Sequence, residues 1–88
     1  MSMADRISAR LTQGFQPIEL VVVDESDQHH GHGGWREGGG THFRVRMVAA
    51  AFAGETRINR HRKVNEALKA ELAGGIHALA LDLKAPGE

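Results

Sequence analysis

A two-layer α+β domain is the fold class that this sequence predicts, and three stretches carry the prediction. Residues 18–24, Ile-Glu-Leu-Val-Val-Val-Asp, form a β-branched run of strand length. Residues 42–47 alternate, with Phe43, Val45 and Met47 on one face and His42, Arg44 and Arg46 on the other, so one face of the sheet is apolar and the other solvated. From about 58 to 72, His61, Val64, Leu68 and Leu72 make an apolar stripe at helical spacing, while Arg60, Arg62, Lys63, Glu66 and Lys69 decorate the remaining faces. A sheet with one apolar face needs cover on that side only, which places the helices in a single layer.

Taken in order, the elements are six. Met3, Ile7 and Leu11 recur every four residues behind Ser2, a candidate N-cap, and predict a helix over 3–13 that Gly14 would stop. The strand at 18–24 follows Pro17. Between Glu25 and Gly40 lie six glycines, three histidines and no aliphatic side chain, which predicts an exposed, flexible loop at 25–40. The second strand then runs from His42, and Ala49 to Phe52 could form one helical turn ended by Gly54. The helix over 58–72 stops at Gly74-Gly75. Ile76 to Leu83 reads as a last strand with His77, Leu79, Leu81 and Leu83 in phase, and Ala85-Pro86-Gly87-Glu88 should fray. The order α-β-β-α-α-β gives a three-stranded mixed sheet, because the final crossover favours parallel pairing of the second and third strands.

The 88 residues suffice for one small core and not for two, so a single domain over 1–88 with its core at about 3–84 is expected. There is no run of eighteen apolar residues and no apolar signal core behind the first methionine, which predicts a soluble, cytoplasmic protein without membrane attachment. When alone, it is expected to be a monomer or weak homodimer. Cysteine is absent, so the chain has no disulfide, no nucleophilic thiol and no thiolate for a metal. Formal charge is zero yet polarised along the chain. Residues 17–40 hold five acids (Glu19, Asp24, Glu25, Asp27, Glu37) against Arg36, whereas 41–69 hold seven bases against Glu55 and Glu66. The basic stretch suits nucleic acid or an acidic protein surface.

Six histidines are present, three of them in His29-His30-Gly31-His32. Imidazoles on a flexible backbone can bind metal, but no cysteine or carboxylate stands at a defined zinc spacing, so pattern alone reads as a polar loop with incidental metal affinity. His61, on the helix stripe, and His42, opening a strand, read as structural histidines.

Larger strings add to this. Asp24-Glu25-Ser26, the histidine-containing loop, Thr41-His42-Phe43, Phe52-Ala53-Gly54, Arg60-His61-Arg62 and His77-Ala78-Leu79 resemble the BolA-like family in order and spacing over roughly residues 16–86. The resemblance implies a fold similar to the class II KH type. It also implies a histidine-loop member in which His29, or its neighbours His30 and His32, and His77 are metal ligands. The partner so implied is a monothiol glutaredoxin, and the cofactor a 2Fe-2S cluster shared with that glutaredoxin and glutathione, in iron-sulfur assembly, delivery or iron sensing. Two histidines can replace two thiolates on one iron, so the donor set is chemically reasonable, and the missing thiolates would come from the partner. The isolated chain would then hold no cluster.

Two other functions compete. The short turn and the start of the basic helix resemble a helix-turn-helix, with Arg57, Arg60, Arg62 and Lys63 as phosphate contacts of a DNA-binding transcriptional regulator. Zero net charge and a helix face poor in base-reading side chains argue against it, and Gly54-Glu55-Thr56-Arg57 lacks the second glycine of an RNA-clamping loop. An enzyme is the weakest reading, since no triad or activated nucleophile is recognisable.

Overall fold

The computed structural model describes residues 1–26 and 40–88. Helix α1 (Met3–Phe15) opens with a full capping box, in which the Ser2 side chain accepts from the Asp5 N–H and the Asp5 carboxylate accepts from the Ser2 N–H. It buries Ile7 and Leu11. The helix does not stop at Gly14. It continues to Phe15, whose ring packs on Phe52 with centroids 5.3 Å apart, and the left-handed terminal residue is Gln16, at φ 48°. The aromatic contact keeps the last turn closed, so the glycine is not needed as the stop.

Strand β1 (Glu19–Asp24) pairs antiparallel with β2 (His42–Val48), with Val22 opposite Val45. β2 pairs parallel with β3 (Ala78–Lys84), with Val45 opposite Leu81, so the sheet order is β1-β2-β3 and the mixed pairing follows the prediction. Phe43, Val45 and Met47 face the helices and are buried, while Arg44 and Arg46 remain exposed on the far face beside Glu25 and Glu19. His42 breaks this expectation. Although it alternates with the two arginines, it is 4% exposed.

A single 3-10 turn (Ala50–Phe52) drops Phe52 into the core. The long helix expected over 58–72 is two helices, α2 (Arg57–Ala67) and α3 (Lys69–Ala73), divided at Leu68, where the backbone leaves helical geometry at φ −100° and ψ 15°. Leu68 stays fully buried at the joint. The second piece brings Glu71 inward, where its carboxylate lies 3.3 Å from Arg6 and from Arg10 of α1. Val64 is fully buried and His61 half-buried, as the stripe predicts.

The chain's last four residues do not fray. Ala85 is 5% exposed, its N–H donates to Glu88 Oε1 at 3.0 Å, and the Glu88 carboxylate receives both Nη groups of Arg60 at 2.5 and 2.6 Å. A charge-assisted bidentate pair supplies the anchor that composition alone could not reveal. Among the described residues no helix is long and apolar enough to cross a membrane.

Candidate functional site

The expected flexible loop, with His29, His30 and His32, falls on residues 27–39, outside the described residues. Its two ends are described, and they are tied together. Asp24, the last residue of β1, accepts from the Ser26 N–H at 2.9 Å, an Asx-type turn, and from the Gly40 N–H at 3.0 Å. Burial pushes the Asp24 carboxyl up, but the hydrogen bonds from Ser26 and Gly40 and the nearby His42 outweigh it and hold the group below its ordinary 3.8. The Ser26 hydroxyl, 1% exposed, accepts from the N–H of Thr41 at 3.0 Å and the N–H of His42 at 3.2 Å, and its oxygen lies within hydrogen-bond distance of the Thr41 hydroxyl, at 3.2 Å.

Thr41 Oγ1 also lies 2.8 Å from His42 Nδ1, a hydrogen bond whose direction follows the tautomer of the imidazole. The ring of His42 in turn lies against that of His77, with centroids 5.2 Å apart and planes tilted by 54°. The Thr41 carbonyl accepts from the N–H groups of His77 at 2.7 Å and Ala78 at 3.1 Å, which clamps the backbone of His77 to the mouth of the loop.

His77 is therefore held by its backbone while its side chain stays exposed. It precedes β3 and does not share the core phase of Leu79. Ile76 takes the buried position, at 7% exposure, and the ladder starts only at Ala78. An exposed imidazole on a fixed backbone is suited to bind a metal or to meet a partner. Among the described residues no cluster of three or more potential ligands is formed, so His77 can supply only part of a donor set there.

The four cations singled out for nucleic acid do not act alike. Arg60 is occupied, since its Nε donates to the Glu55 carbonyl at 3.0 Å and its Nη1 to the Leu83 carbonyl at 3.2 Å, besides the pair with Glu88. Lys63 is paired with Glu55 at 3.2 Å. Arg57 and Arg62 are exposed and make no ion pair among the described residues. Sequence pattern gives His42 a structural role, which its burial bears out, but does not show Ser26 and Thr41 as its partners in the frame around His77. The Asp-x-Ser spacing after a strand was the one available signal, since an aspartate commonly bonds the N–H two residues on.

Comparison with known proteins gives one consistent neighbourhood. The sequence model of the family described as BolA-like protein matches residues 11–88. An uncharacterised protein in the cobS 5′ region of a Sinorhizobium species is 48% identical over the whole chain and 96% of its own length. The Escherichia coli protein named DNA-binding transcriptional regulator BolA is 42% identical over 92% of this chain and 73% of its own. Among solved structures, the BolA domain of SufE1 from Arabidopsis thaliana superimposes with a TM-score of 0.87 at 41% identity, covering 98% of this chain and 94% of that one. The full SufE-like protein 1 of that plant is much longer, and the matched region is 24% of it.

Proposed function

Given that this chain belongs to the BolA-like family, we propose that it is a non-catalytic partner of a monothiol glutaredoxin and contributes imidazole ligands to a 2Fe-2S cluster held jointly with that protein and glutathione. One observation carries the reading. His77 has its backbone fixed by the Thr41 carbonyl and its ring exposed at the mouth of the loop that bears His29, His30 and His32. The donor set fits. A chain without cysteine offers imidazole only, two imidazoles can serve one iron, and the remaining positions call for thiolates from elsewhere. A cluster so held supplies one-electron chemistry and a transferable iron-sulfur unit. The chain's own part is to present His77 at a fixed place and to supply a second imidazole from the loop, His29 by the family resemblance.

The test is co-expression with a monothiol glutaredoxin, followed by an absorption spectrum with and without glutathione. A coloured complex with one cluster per heterodimer is expected, bleached or rapidly lost in His77→Ala while His29→Ala loses less, because His30 or His32 could substitute. A colourless complex, or an unchanged cluster in folded His77→Ala, would overturn the reading.

A second reading is favoured by the relatives named DNA-binding transcriptional regulators in Escherichia coli and Vibrio cholerae. On this reading Arg57 and Arg62 neutralise phosphates, while Arg60 and Lys63 stay with their carboxylate partners. Tight, sequence-selective binding at physiological salt, lost in Arg57→Ala/Arg62→Ala, would place it first.

A further inference from the structure

One glycine has no reason to be a glycine within the fold. Gly14 lies inside α1 without a positive φ, the left-handed residue is Gln16, and a Cβ built on Gly14 meets nothing within 4 Å. Glycine in a helix interior is nonetheless unfavourable relative to alanine. The space a side chain would fill is an open groove between the end of α1 and α2, floored by Gly14, Phe15 and Ala67 and rimmed by Arg62, Lys63 and Lys69. Arg62 and Lys69 are exposed without an ion pair among the described residues, so the rim keeps positive charge to offer.

We infer that this groove is a docking site for an acidic amphipathic helix of a partner protein. The apolar floor takes the leucine-like face of such a helix, the absent Cβ at Gly14 lets its backbone approach closely, and the basic rim pairs with its acidic flank. A nucleic acid strand suits the site less well, because the floor is apolar. The Phe15 end of the groove is remote from His77. Phe15 leads to Glu19, which pairs with Val48 at one end of β2, whereas His77 adjoins His42 at the other end, six residues or about 20 Å along the strand. The inference does not depend on the cluster.

The experiment uses the full chain, isotope-labelled, with three probes: a helical peptide with leucine on one face and glutamate on the other, its lysine counterpart, and a DNA duplex. The acidic peptide alone should bind, shifting the amides of Phe15, Arg62, Glu66 and Ala67. Charge reversal in Arg62→Glu/Lys69→Glu should weaken it by about tenfold, as expected when rim charges oppose a partner. Gly14→Ala should raise the melting temperature, since alanine accepts this backbone, and yet weaken the peptide several-fold. Equal binding of both peptides, shifts centred elsewhere, duplex DNA shifting the same amides, self-association through the groove, or a Gly14→Ala protein that binds as well as the parent would each overturn the inference.

Discussion

The two ends of the sheet handle polarity in opposite ways. At the loop mouth, Ser26, Thr41 and His42 are polar groups, all but buried, that bond to one another. At the α2 end, Arg60, Lys63, Glu55 and Glu88 are formal charges at the surface that pair in partial contact with water. The first kind of network is costly to interrupt, because a removed partner strands a buried donor. The second is screened and worth less per contact. Hence the modest residues hold the candidate site together, and the conspicuous basic stretch is partly spent on holding down the end of the chain.

The difference can be broken at either end. Ser26→Ala removes the acceptor of two backbone N–H groups and the partner of the Thr41 hydroxyl, and should cost about 2–3 kcal/mol in urea unfolding, with the loop mouth exchanging its amides faster. A loss under about 0.5 kcal/mol would show that the hydroxyl is replaceable by water. Glu88→Gln should act less, and its effect should depend on pH. Hydrogen bonds from Arg60 and from the Ala85 N–H hold the Glu88 carboxyl down at about 2 against its ordinary 4.5. A group with a depressed folded-state value stabilises above its unfolded value, so this contribution is complete above about pH 4.5 and is lost as pH falls toward 2. The stability of Glu88→Gln should accordingly fall less steeply than the parent's across that window, and parallel curves would dissolve the clamp.

Smaller effects sharpen the contrast. If DNA is bound at all, Arg57→Ala and Arg62→Ala should each lower the salt slope by about one, whereas an equal change in Lys63→Ala would mean that its pair with Glu55 opens on binding. Smallest of all, His77→Ala should shift stability by less than about 0.5 kcal/mol, since the ring is exposed and the backbone N–H survives the change. A thermal melt that drops by many degrees would make His77 a structural residue after all.

Much of this frame is legible in the sequence and some of it is not. The alternation in β2, the stripe through Val64 and Leu68 and the Ser2 cap are local periodicities, and they hold. The family, too, follows from motifs spread over most of the chain, and the match over residues 11–88 bears that out. Alternation assigns His42 to a solvated face because it knows nothing of Ser26, which closes over it from sixteen residues away. Gly14 offered a stop that the Phe15–Phe52 contact made unnecessary. Glu88 read as a loose end because its partner, Arg60, is twenty-eight positions earlier. Each difference comes from a contact between distant residues, which no window of local pattern contains.

The stapled ends of the β1–β2 connection have a consequence for how this domain can change. Asp24 and Ser26 bind Gly40, Thr41 and His42 directly, so strand register is set before the thirteen residues from 27 to 39 are counted. Doubling the length of a connecting segment costs only about 0.6 kcal/mol in closure entropy. The span is therefore a place where evolution or an engineer can insert, shorten or exchange histidine-bearing sequence without disturbing the ladder beneath it, a cassette whose hinges are already bolted.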